Sequence, residues 1–232
     1  MIYCLPILMT TIIISKIIFK INLKNFKKLG DSKELEEITN KFGDNIQVAN
    51  EILDMLYKEG RAKPKVEQTN STKASLYIAL THKILIADIK NSYSRIQTIA
   101  HECIHSCQDR RLLISNFIIS NINIICFFVA ILLMVFKVLE PNFLILYIFS
   151  ITIFIEIIIK LFLEMDAMIK AKYLAKEYIE IKNTITEKEQ NKLIEGYDKI
   201  NKIGIPFVVD NLLTTNILKI MLYIIITIIL RG

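Results

Sequence analysis

The sequence predicts a mainly α membrane protein with about four transmembrane helices and a small cytoplasmic α+β part. Three observations point there. Of the 232 residues, 53% are hydrophobic, and the mean hydropathy is +0.44. The apolar residues are gathered into long runs rather than spread at core-like spacing. The two polar stretches between those runs carry most of the Lys and Arg.

Four runs qualify as candidate spans against a requirement of about 20 mostly apolar residues. The first is Ile2 to Phe19, broken only by Lys16. No basic region precedes it and no small-residue cleavage site follows it, so it reads as a retained helix rather than a removed leader. The second, Leu112 to Phe136, and the third, Phe143 to Leu163, are separated only by Lys137 to Asn142, which makes a tight helical hairpin. The fourth, Phe207 to Leu230, contains Asp210 and Lys219 and is the least clean. The expected order is a transmembrane helix over 1–20, a cytoplasmic region over 21–111, a transmembrane hairpin over 112–163, a cytoplasmic helical region over 164–206 and a last transmembrane helix over 207–232.

The net charge of +6 is not spread as a nucleic-acid partner would require. Of 29 Lys and Arg, 16 lie between Lys20 and Arg111 and another 8 between Glu164 and Pro206. With four spans both basic stretches fall on one side, and the positive-inside rule makes that side the cytoplasm. The decisive charges are those next to the spans: Lys20, Lys24, Lys27 and Lys28 after the first, Arg110 and Arg111 before the second. Both termini then face outward, and membrane lipid is the expected surrounding. The cysteines Cys4, Cys103, Cys107 and Cys126 form no CxxC pair, and two of them sit in the reducing compartment, so no disulfide framework is expected.

The first polar stretch is about 90 residues, enough for a small folded domain. Asp31 to Thr39 reads as a short surface helix. Asn45 to Glu59 places Ile46, Ala49, Ile52, Leu53 and Leu56 on one helical face, with Gly60 as its stop. Arg61 to Ser75, with Pro64, reads as loop. Leu76 to Leu80 and Lys83 to Ile89 read as a strand hairpin turning near Thr81-His82. A helix capped by Ser92 or Ser94 follows, with Ile96, Ile99, Ala100 and Cys103 on its apolar side. In the second polar stretch Ala167, Ala171, Leu174, Ala175 and Tyr178 continue a helical stripe. Glu187 to Lys202 is a charged helix, punctuated by Gly204 and Pro206 before the last span.

The apolar helix that begins near Ile96 runs into His101-Glu102-Cys103-Ile104-His105. His-x-x-x-His on a helix sets two imidazoles one turn apart on one face, where both reach one metal ion. Glu102 stands about 100° around from His101, free to act on a metal-bound water. Zinc suits this set, because it takes imidazole and carboxylate and keeps one position open for water. Glu102 is then the general base. A third protein ligand is needed, and no further histidine follows closely. Glu164, 59 residues after His105, lies at the end of the hairpin that the motif helix precedes, so both come to one membrane face. Asp166 is the alternative ligand, or a residue that orients a ligand histidine from behind. Counted from the hairpin middle, His105 is about ten residues farther along than Glu164, or about 15 Å of helix. Either the motif helix turns away from the second span around Cys107 to Arg111, or the spans tilt.

These residues resemble a known family. Ile99 to Asp109, read as IAHECIHSCQD, is similar to the AHEVGHAIQ signature of the bacterial membrane-associated neutral zinc metallopeptidases, the YugP-like family. Lys83 to Ala87 and Tyr93 resemble the strand and tyrosine that precede that signature, and Glu164-Met165-Asp166-Ala167 with Ala171 resembles its E-F-N/D-A-x-x-x-A segment. The order of spans also fits. The resemblance implies a zincin-like metal-binding part of gluzincin type, with His101, His105 and Glu164 as ligands and Glu102 as base. It also implies a bacterial inner-membrane location. Ile104 departs from the signature by replacing its glycine with a bulky residue that stands to crowd the site.

Other polar residues receive plainer readings. Lys160 is expected to snorkel and pair with Glu156. Asn116, Asn121 and Asn123 are expected to bond neighbouring helices. Asp210 and Lys219 are candidates for a polar chamber near the metal, and Cys103 and Cys107 are expected to be buried thiols rather than ligands. Tyr93, Tyr197 and His82 are the candidate oxyanion donors, and Lys83 to Ile89 is a candidate edge for a peptide substrate. The expected function is zinc-dependent hydrolysis of a peptide or protein. The alternative is a catalytically silent membrane adaptor or assembly factor that keeps the fold, and a transporter subunit is a third reading.

Overall fold

The computed structural model describes residues 2–20, 32–57, 60–69, 74–89, 92–136, 138 and 143–231. Lys24, Lys27, Lys28, Asp31, Glu59 and all of the hairpin connection 137–142 except Val138 lie outside the described residues. Among the described residues, seven helices and three strands run in the order α1 (Cys4–Ile18), α2 (Lys33–Thr39), α3 (Asn45–Leu56), β1 (Lys65–Gln68), β2 (Leu76–Ile78), β3 (Lys83–Ile86), α4 (Arg95–Cys107), α5 (Arg110–Val135), α6 (Phe143–Lys182) and α7 (Glu187–Arg231). The chain divides into two compact units. One holds Met1–Ile21, Ile114–Phe162 and Pro206–Gly232; the other holds Asn22–Leu113 and Leu163–Ile205.

The first unit is mainly apolar. Among the described residues three helices are long and apolar enough to cross a membrane: α5, α6 and α7. Only 11%, 17% and 22% of their most apolar windows are buried, so most of that apolar surface is left uncovered by the described residues. The expected fourth span is not among them. Helix α1 has 15 residues, roughly 22 Å at 1.5 Å per residue, against a hydrocarbon layer of about 30 Å. It ends where Lys20 takes a left-handed backbone (φ 47°).

Phe127, Met134, Leu146, Phe149, Ile153, Tyr223 and Ile224 form this unit's core, with Leu5 and Leu8 of α1 packed against it. The rings of Phe127 and Phe149 stack at 5.7 Å. Several polar groups in this unit are paired across helices, which keeps them satisfied in an apolar setting. Asp210 accepts from Ser15 Oγ (2.5 Å) and Lys16 Nζ (3.3 Å), so it clasps α1 to α7. Lys219 donates to Asn216 (3.0 Å). Asp210 is thus bonded to α1, and Lys219 to its own helix. Glu156 is held by Ser120 (2.9 Å) and Asn123 (2.7 Å) of α5 rather than by Lys160, because its carboxylate turns into the α5–α6 seam. Asn123 also bonds Thr152 O, but Asn121 bonds its own helix at Phe117 O, and the amide oxygen of Asn116 has no partner among the described residues.

The second unit is built on a three-stranded sheet of order β1-β3-β2, with β1 parallel and β2 antiparallel to β3. The stretch expected to be loop therefore contains a strand: Lys65 to Gln68 pairs with Lys83 to Ile86 just after Pro64. In consequence β3 is central and β2 is the edge nearest α4, which corrects the expected edge. The hairpin turn lacks Gly and Asn because His82 occupies the left-handed position (φ 49°) itself. Its ring is fastened on both sides, to Tyr77 OH (2.8 Å) and Ala62 O (3.1 Å). Since a carbonyl only accepts, Nε2 carries the proton and Nδ1 accepts from the tyrosine.

Helix α3 starts at Asp44, whose carboxylate accepts from Gln47 N–H (2.8 Å), and stops at Leu56, short of the expected Glu59. Its buried face is Asn45, Val48, Ala49, Ile52 and Leu53. These side chains meet Ile96, Ile99, Ala100 and Cys103 of α4, Ile84 and Ile86 of β3, and the Ala167–Tyr178 stripe of α6 in one core. Neither Ser92 nor Ser94 caps α4 through its side chain; the two hydroxyls bond each other (2.9 Å). Instead α4 is fixed at its start by Arg95. The buried guanidinium donates to the carbonyls of Thr39, Phe42 and Gly43 and to Asn45 Oδ1, at 2.8 to 3.1 Å. Helix α7 opens with a capping box at Thr186 and Glu189. It continues through Pro206 without a stop, so the expected punctuation there is absent.

Candidate metal centre

Helix α4 puts its apolar face into the core and leaves the opposite side for the motif histidines. Four residues apart, His101 and His105 stack one turn above the other, with ring centroids 4.6 Å apart and planes at 89°. Their Nε2 atoms approach to 3.0 Å. Glu164, from α6, brings Oε2 to 3.4 Å from His101 Nε2 and 3.8 Å from His105 Nε2. The three residues form a group that could hold a metal ion, with donor atoms all within 4.8 Å of one another. A four-coordinate ion with bonds of about 2.0–2.2 Å sets neighbouring donors roughly 3.3–3.5 Å apart. The observed separations bracket that value, so little movement is needed to close the site. All three residues belong to the second unit.

The bend before α5 is present. Helix α4 ends at Cys107, Gln108 is extended (ψ 166°), and α5 starts afresh with Asp109 accepting from Arg111 N–H (2.7 Å). Gln108 touches His105 Nδ1 through Oε1 (2.8 Å), and its Nε2 donates to Leu163 O (2.9 Å) and Asp166 Oδ2 (3.0 Å). Asp166 is therefore not one of the converging donors. It points to Gln108 and to Lys170 (2.6 Å), as its angular offset from Glu164 on the helix dictates. It meets the histidine only through the carboxamide.

Glu102 is 6% exposed. Burial holds its carboxyl above the usual carboxylate range, against the pull of His101 and His105, and the charge of Glu164 adds to the rise. The backbone amide of Tyr77, on edge strand β2, pulls slightly the other way. Burial alone would lower His105, but its contact with Glu164 and the charge of Glu102 outweigh this and raise it. Burial likewise opposes the charge on Glu164, and the two histidines overcome it and hold the carboxyl well below the usual range. A charged carboxylate against two imidazoles, with a second carboxyl buried beside them, is a set from which a proton can be taken and returned.

The other candidates fall away from this group. Tyr93 and Tyr197 are fully buried core residues, and Tyr197 OH reaches Tyr93 O (3.4 Å). His82 is committed to the β2–β3 turn. Cys103 is buried as expected, with its thiol pushed well up by that burial, but Cys107, expected to be buried, is exposed at the last turn of α4; both are free. Ile104, expected to crowd the site, packs in the core. The residue that sequence reasoning passed over is Gln108. Its position three after His105 places it on the same helical side, which was the available signal.

No protein-family model matches the chain, and neither the curated proteins nor the solved structures give a match.

Proposed function

We propose that this chain is a membrane-embedded zinc metallopeptidase that hydrolyses peptide bonds. The observation that carries the reading is the convergence of His101 Nε2, His105 Nε2 and Glu164 Oε2 beside the buried carboxyl of Glu102. Two imidazoles and one carboxylate are a donor set that zinc favours. Zinc bound there supplies an acidified water and a polarised carbonyl. His101, His105 and Glu164 hold the ion. Glu102 takes the proton of the attacking water and returns it to the leaving amine, a role its burial and raised pKa support. An extended substrate pairs with β2, the edge strand that packs against the motif helix α4. The likeness of residues 99–109 and 164–171 to the YugP-like metallopeptidases supports the same assignment.

The basic stretches around the site favour the cytoplasmic side. That placement needs only the α5–α6 hairpin, which returns the chain to the side it left, so it does not depend on whether α1 crosses. Cys107 is exposed and reports on it: an impermeant maleimide added to intact cells is expected to leave Cys107 unlabelled, with Cys107→Ser as control. Labelling from outside would invert the topology.

The test of mechanism is Glu102→Gln. Removal of the base is expected to lower metal-dependent peptidase activity by about 10²–10⁴-fold with zinc content unchanged. Unchanged activity would refute the assigned base. Zinc binding with no peptidase activity in the wild type would favour the silent adaptor instead.

A further inference from the structure

We infer that Gln108 is a positioning residue for the metal centre: it sets the tautomer of His105 and ties that ligand to the segment that carries Glu164. This rests on the reading of His101, His105 and Glu164 as ligands.

The argument begins with what each partner is able to do. Leu163 O is a carbonyl and Asp166 a carboxylate, whose charge is balanced by Lys170 at 2.6 Å. Both only accept. The end of Gln108 that lies 2.9 and 3.0 Å from them must therefore be the NH2. The amide orientation follows from the network rather than from the resemblance of nitrogen and oxygen. Oε1 is then the atom 2.8 Å from His105 Nδ1. An oxygen there requires a proton on Nδ1. The neutral ring of His105, the form that binds a metal, is thereby held as the Nδ1–H tautomer, with its lone pair on Nε2, the atom that faces Glu164.

The same side chain also sets position. Leu163 and Asp166 flank Glu164 on α6, so a shift of that turn breaks one or both bonds from Gln108. The residue that makes these bonds is the one at which α4 stops, and its extended backbone aims the carboxamide back across the end of the helix. A carboxylate or carbonyl behind a ligand histidine sets the tautomer alone. A carboxamide has donors as well, and here they reach the third ligand's neighbours.

The experiment uses the full chain in detergent. Zinc affinity is measured by chelator competition for the wild type, Gln108→Leu, Gln108→Glu, Gln108→Glu with Asp166→Asn, and Glu164→Ala. The tautomer of His105 is read by nitrogen NMR on the zinc-free protein at a pH where the ring is neutral, which is tractable because the chain has three histidines. Gln108→Leu is expected to weaken zinc binding about 10–100-fold and to lose the Nδ1–H bias. Gln108→Glu sets two carboxylates together and is expected to bind at least as weakly. Adding Asp166→Asn restores a donor facing the new acceptor and is expected to recover most of the affinity, which a loss of packing alone would not do. Wild-type affinity in Gln108→Leu, an unchanged tautomer, or no recovery in the double variant overturns the inference. Absence of zinc binding in the wild type refutes the metal reading instead, and the tautomer measurement still decides the role of Gln108.

Discussion

Glu164→Ala removes one of three protein ligands and gives the most direct measure of the site. Apparent zinc-binding free energies at structural sites are about 10–16 kcal/mol. Shared over three protein ligands, that is roughly 3–5 kcal/mol each, or about 10²–10⁴-fold in affinity at 1.4 kcal/mol per decade. The separations of 3.0, 3.4 and 3.8 Å mean that little rearrangement is lost or regained with the side chain, so the effect belongs to the ligand. Partial exposure of the Glu164 side chain, 29%, lets water replace it and places the result toward the lower end. The assay is chelator competition with metal stoichiometry on purified protein, with Asp166→Ala as comparison. Asp166→Ala is expected to cost less, because Asp166 acts only through Gln108. Wild-type zinc affinity in Glu164→Ala, or a greater loss in Asp166→Ala, would refute the ligand assignment.

Further predictions concern stability. In the zinc-free protein His105 is raised above 6.5 and Glu164 lowered below 4.5. The raised histidine stabilises fully below pH 6.5 and loses this as pH rises through its folded pKa. The depressed carboxylate stabilises above pH 4.5 and loses this as pH falls through its own. Metal-free melting temperature is therefore expected to peak between these limits, and a peak well above pH 7 would contradict the pair. Arg95→Lys leaves one ammonium for four acceptors; with about 1–3 kcal/mol for each buried group left unpaired, a loss of at least about 2 kcal/mol is expected in chemical denaturation. Saturating zinc is expected to raise the melting temperature of the wild type, by about 2.7 kcal/mol of stabilisation at 100 times Kd, and not that of His101→Ala.

What the sequence made legible was local or was carried by periodicity. The apolar face of α4, the Ala167–Tyr178 stripe and the long spans follow from spacing. So does the pairing of the motif with Glu164, because a hairpin returns the chain to where it began. The missed features depend on distant partners. Strand β1 is four residues beside Pro64, and only β3 across the sheet makes it a strand. Pro206 obeys its local rule in isolation, yet α7 runs through it. Gln108 has no visible role until Leu163 and Asp166 arrive from more than fifty residues away. Glu156 reads as the partner of Lys160 one turn along, but Ser120 and Asn123 on another helix supply the bonds.

The distance along the chain between His105 and Glu164 has a consequence for biogenesis. The 59 residues between them take about 3–12 s to synthesise at 5–20 residues per second, and most of them are the α5–α6 hairpin. Until that hairpin has been made, the nascent chain carries both histidines without Glu164. The three-residue group is complete only once the hairpin is, and on the proposed reading a truncated chain ending before Glu164 is expected to bind zinc weakly and to lack activity.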